Sequence, residues 1–70
     1  MPKVANLNVE VGRIVKVRSS NDPNIMVGET FMVTNDVITP LISLEGKYKG
    51  TGLTSRYISY AERKLCLKFE

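Results

Sequence analysis

Residues 11–18 read Val-Gly-Arg-Ile-Val-Lys-Val-Arg, and ten residues further on comes Gly28-Glu29-Thr30-Phe31-Met32-Val33. No other feature constrains the chain as much. Each segment is a short run of β-branched or aromatic residues with a period of two, the period of a strand with one buried face. In the first, Val11, Arg13, Val15 and Val17 share one face, and Gly12, Ile14, Lys16 and Arg18 share the other. The valine face is predicted to meet the core, with Arg13 near the strand end where its guanidinium reaches water. Ser19-Ser20-Asn21-Asp22-Pro23-Asn24 separates the two segments and is rich in turn formers, with Pro23 suited to the second position of a type I turn. Ile25, Met26 and Val27 form the return leg of that loop. Gly28 marks a turn or strand start with unusual backbone angles.

The remainder continues in short pieces. In residues 29–34, Phe31 and Val33 alternate against Thr30, Met32 and Thr34, and Asn35-Asp36 supplies a turn. Pro40 fits an edge position or the first residue of a strand, which places the regular part of the third strand at residues 41–45. Residues 46–52 hold three glycines in seven positions and read as a long loop. Residues 53–58 lead back into a strand, and 59–64 read as one helical turn, too short for a stable helix. Leu65, Leu67 and Phe69 then alternate with Cys66, Lys68 and Glu70 as a last strand. Residues 1–10 carry little pattern. They form an N-terminal arm or an edge strand, with Val4, Leu7 and Val9 available to pad the core. The expected fold is all-β: a single small domain of 70 residues, built as a five-stranded barrel or a small sandwich, with a short helical turn before the last strand.

That order of strands, loops and a late helical turn resembles the Src-homology-3-like barrels. The first half, Gly12-Arg13-Ile14-Val15-Lys16-Val17 followed by Val27-Gly28 and Phe31-Met32-Val33, is similar to the KOW variant of that fold over about residues 11–34. Where KOW segments usually have glycine soon after the first strand, this chain has Ser19, Ser20 and Asn21. The whole layout, with Tyr57-Ile58-Ser59-Tyr60-Ala61-Glu62-Arg63-Lys64-Leu65 as a tyrosine-containing turn, also resembles short barrels encoded by bacteriophages and prophages. The resemblance implies an accessory role, binding a host protein or phage DNA in the host cytoplasm.

Catalysis has little to build on. The chain has no histidine, the commonest general base and metal ligand, and its one cysteine cannot make a zinc site of the usual kind. Cys66 falls on the polar face of the last strand beside Lys64 and Lys68 and reads as an inert surface thiol. Asp22 and Asp36 read as turn caps and Glu29 as a solvated strand start, not as a carboxylate pair across a cleft. The glycine-rich loop lacks the Gly-Lys-Ser/Thr ending and the following helix of a phosphate loop, so its plain reading is turn chemistry. No enzyme activity, cofactor or metal is expected.

The cations and tyrosines carry the binding reading. Lys16 and Arg18 end the outer face of the first strand, and Lys47, Tyr48, Lys49, Arg56, Tyr57 and Tyr60 lie in or after the second long loop. If these meet on one rim, lysine and arginine neutralise phosphates and tyrosine rings stack on bases of single-stranded or duplex nucleic acid. The same set suits an acidic protein surface, where Tyr and Arg dominate the binding energy. The bland alternative makes Tyr57 or Tyr60 a lid on the core with its hydroxyl in water. Ile14 and Met32, if adjacent on the outer sheet face, form an apolar stripe of the kind that marks a partner or a dimer contact. Ten Lys plus Arg against seven Asp plus Glu give a net charge of +3, which permits either partner and demands neither. With one cysteine, no apolar leader and no apolar run of membrane-spanning length, a cytoplasmic, non-membrane protein is expected. So short a chain makes a homodimer a further expectation.

Overall fold

In the computed structural model, which describes residues 3–4, 7–8 and 10–70 and only the backbone of the first two pairs, the predicted alternation becomes one curved antiparallel sheet. Strands β1 (Lys3–Val4) and β2 (Leu7–Asn8) pair with each other as a separate two-stranded ladder. The expected padding of the core by Val4, Leu7 and Val9 lies outside the described residues. The main sheet is made of β3 (Ile14–Ser19), β4 (Thr30–Val33), β5 (Leu41–Ser43), β6 (Gly52–Leu53) and β7 (Lys68–Phe69). Their order across the sheet is β6-β5-β4-β3-β7, so four strands follow one another as a meander and the last returns beside the first. The fold is predominantly β with one helix, and the ladder does not close on itself among the described residues.

The alternation of β3 is as predicted: Val15 and Val17 are buried, and Ile14, Lys16 and Arg18 are exposed. The strand begins three residues later than expected. Gly12 takes a φ of +90° and Arg13 N–H donates to the Glu10 carbonyl at 3.1 Å, so residues 10–13 turn and Val11 stays outside the core. A positive φ is open to glycine without steric cost and ends extended structure there. On the other side of the loop, Ile25 N–H reaches the Asp22 carbonyl at 3.1 Å, which puts Pro23 in the second position of a turn as predicted. Pro40 is buried and leads directly into β5, which lies between β4 and β6.

The core lies between the sheet and the helix. Phe31 and Val33 from β4, Leu41 from β5 and Leu53 from β6 meet the β3 valines, and Phe69 closes edge-to-face on Phe31 with ring centroids 5.7 Å apart. Ile25 reaches in from the long loop and is fully buried.

The largest departure from the sequence expectation is α1, a helix over Ser55–Lys64 where a strand to residue 58 and a single turn were predicted. Thr54 caps it by accepting from Tyr57 N–H at 3.1 Å, and Arg63 and Lys64 sit in the last turn, where positive charge complements the helix dipole. Ile58 and Ala61, three residues apart, go into the core. Burial of that face stabilises a ten-residue helix that would be marginal alone. Leu65 N–H and Leu67 N–H both reach the Ala61 carbonyl, and Cys66 takes a left-handed φ of 53° between them. The last strand is therefore shorter than predicted: residues 65–67 leave the helix, and only Lys68–Phe69 pair with β3. Its side-chain alternation still holds, with Leu67 buried and Cys66, Lys68 and Glu70 exposed. No helix among the described residues is long and apolar enough to cross a membrane.

Candidate binding face

Helix α1 sets the geometry of the candidate site. At about 100° per residue, Arg56, Tyr60 and Arg63 fall within about 60° of one another around the helix, with Lys64 beside them. All four are exposed, on the side away from Ile58. Tyr57 lies at the margin of this stripe and is half-buried against the core. Its ring is tilted by 43° to that of Tyr60, with centroids 6.2 Å apart.

Tyr57 also ties the helix to the first long loop. Its hydroxyl donates to Oδ2 of Asp22, while Oδ1 of Asp22 accepts from Asn24 N–H at 2.9 Å. Asp22 is buried, so both carboxylate oxygens are held by protein donors. Burial, and then the adjacent carboxylate, hold the Tyr57 hydroxyl protonated well above the ordinary tyrosine range. The lid reading of Tyr57 is thus right about packing, but its hydroxyl meets Asp22 and not water. Asp22 does cap its turn as predicted and has this second task as well. Asp36 is likewise a turn cap: Oδ1 accepts from Ile38 N–H at 2.8 Å, and these bonds hold its carboxyl below the ordinary range.

The second long loop leans against the first. Lys47 Nζ donates to Asn24 Oδ1 at 2.8 Å. Gly46, at φ +85°, lies over the half-buried Glu29 carboxylate, whose atoms would stand 2.5 Å from any Cβ placed there. Glu29 is therefore not the freely solvated strand start that was expected. Tyr48 packs on the core, and with Tyr57, Thr51, Gly52, Leu53 and Thr54 it lines a shallow, mostly apolar depression of about 240 Å³. Lys49 is exposed on the same loop.

The eight predicted binding residues thus divide between two faces. Tyr57 lies beside Tyr60 and shares a depression with Tyr48, with Arg56 on the helix and Lys47 and Lys49 in the loop that carries Tyr48. Lys16 and Arg18 point away from the core that α1 covers, because Val15 and Val17, which alternate with them, point in. They lie on the outer sheet face with Lys68, whose neighbour in the ladder is Ser19. Arg63 and Lys64 were not among the predicted residues. Their signal was in the sequence, as the spacing Arg56, Tyr60, Arg63, Lys64, but a helix long enough to use that spacing was not expected. Among the described residues no three Cys, Asp or Glu side chains gather as a metal site would require. No family model, curated protein or solved structure matches this chain.

Proposed function

We propose that this protein is a non-enzymatic module that binds single-stranded nucleic acid along the exposed face of α1. The observation that carries the reading is the stripe Arg56–Tyr60–Arg63, flanked by the tilted Tyr57 ring and the depression under Tyr48. Guanidiniums spaced along a helix match phosphates along a strand, and an exposed phenol between them offers a stacking surface for a base. Lys49 and Lys64 extend the positive field, whereas Lys47 is held by Asn24 and contributes less. The arrangement also supports the finer fold reading of a Src-homology-3-like barrel. Four meandering strands with the fifth returned beside the first, around one core, have the expected order.

The test is titration of a fluorescently labelled single-stranded oligonucleotide at low salt. Tyr60→Ala removes a stacking partner worth about 1–3 kcal/mol, an affinity loss of roughly 5- to 150-fold. Equal affinity of the wild type and Tyr60→Ala contradicts the reading.

A second reading is capture of a protein. It is favoured by Val37 and Ile38, which are 85% and 71% exposed and border a depression with Thr54, Ser55 and Arg56. It predicts a complex that survives nuclease treatment and is lost in Val37→Asp/Ile38→Asp.

A further inference from the structure

The outer face of the sheet carries an aligned apolar row that the nucleic-acid reading does not use. Ile14 stands opposite Met32, and Met32 opposite Ile42, so three large apolar side chains cross three adjacent strands in register. Ile14 is 59% exposed, and Met32 and Ile42 are only half-buried. The row ends at β6, where Gly52 is opposite Ile42 and Thr39 fills the space its side chain would take. One step along the strands, the next row begins with Lys16 opposite Thr30. Leu44 N–H donates to the Thr30 carbonyl at 3.0 Å, and the Glu45 carboxylate accepts from the Thr30 hydroxyl at 2.6 Å. The face therefore has an apolar centre, cations on the β3 side (Lys16, with Arg18 and Lys68 beyond it) and a carboxylate on the β5 side.

We infer that this face binds a second copy of the same chain, as a two-fold dimer with its axis along β4. A two-fold interface must be self-complementary. Rotation about β4 lays the partner's β3 over β5. Met32 then meets its own symmetry mate, Ile14 meets the partner's Ile42, and Lys16 meets the partner's Glu45. Both charges needed for the pairing are on the one face, the Lys16 ammonium toward β3 and the Glu45 carboxylate toward β5. Sheets stacked this way keep their strands within about 30° of parallel, so the register of the row is retained across the contact. A standard interface takes about 800 Å² per partner, under a fifth of the molecule's 4447 Å² surface. The helix face stays free in the dimer, because α1 lies on the other side of the sheet.

Sedimentation equilibrium of the full chain without nucleic acid tests this over about 1 μM to about 1 mM. Mass moving from one chain to two with concentration is expected, and one chain's mass throughout overturns the proposal. Met32→Glu gives a folded monomer by circular dichroism, whereas a dimer that survives Met32→Glu places the interface elsewhere. The axis has its own test in charge exchange. Lys16→Glu or Glu45→Lys alone weakens dimerisation at least about tenfold, and the two together restore it to within about threefold. Singles without effect, or a double no better than the singles, overturn the two-fold arrangement. A wild type that stays monomeric until an unrelated protein is added assigns the face to that protein and overturns the dimer.

Discussion

The Tyr57 hydroxyl joins a helix, a loop and the only buried carboxylate among the described residues, so its loss is felt beyond one bond. Tyr57→Phe leaves Oδ2 of Asp22 without its donor in a site that water does not readily reach. The predicted cost is about 1–3 kcal/mol in urea unfolding. The pH dependence follows from the sign of the shift. The folded hydroxyl titrates above its unfolded value near 10, so its contribution is fully present below about pH 10 and is lost as pH rises through the folded value. Ultraviolet titration is expected to show the Tyr57 hydroxyl resisting ionisation until the chain unfolds. Asp36 moves the other way. Its folded carboxyl titrates below the ordinary range, so its contribution is present above about pH 4 and is lost as pH falls through the folded value. Carboxyl carbon shifts of Asp36 followed by NMR between neutral and acid pH check this. The turn-capping tasks of Asp22 and Asp36 were legible in their neighbours Pro23, Asn24 and Asn35. The Tyr57 partner of Asp22 was not, because 35 residues separate them and only the fold brings them together.

At the scale of elements, the proposed binding reading rests most on α1, because a helix spaces Arg56, Tyr60 and Arg63 along one line. Thr54→Ala removes the cap of Tyr57 N–H and is expected to lower stability by about 1 kcal/mol, with faster amide exchange at Ser55–Lys64 than in β4. Equal protection of α1 in the variant contradicts that role for Thr54. The strands were read well from the chain, since Val15, Val17, Phe31, Val33 and Phe69 alternate with residues that stay outside. The helix was read poorly for a physical reason. Ser, Tyr and Ile at residues 55–60 have no strong preference for helix, and the burial of Ile58 and Ala61 that decides the matter is a tertiary effect. The first strand was read three residues too long at its start, because Gly12 and Arg13 fit the alternating pattern while Gly12 turns the backbone.

At the scale of the molecule, one small core carries two exposed faces, whereas the sequence reading had left open a single rim shared by Lys16, Arg18 and the second long loop. Alternation along β3 was enough to place Lys16 and Arg18 opposite the valines. The side on which the second loop and α1 would lie depends on how the chain crosses the sheet, which no local pattern encodes. The adjacency of Ile14, Met32 and Ile42 likewise needed strand register, set here by which side chains fill the core. That core is small, so Phe31→Ala, at about 3–5 kcal/mol, removes a large share of a domain's total stability of about 5–15 kcal/mol and is expected to lower the urea unfolding midpoint sharply. The most direct test of the binding account is the salt dependence of single-stranded oligonucleotide affinity, compared between wild type and Arg56→Ala/Arg63→Ala. Removing two phosphate contacts is predicted to reduce the slope of log affinity against log salt by roughly 1.4, at about 0.7 per contact. An unchanged slope, or no binding by the wild type at low salt, contradicts a nucleic-acid face on α1.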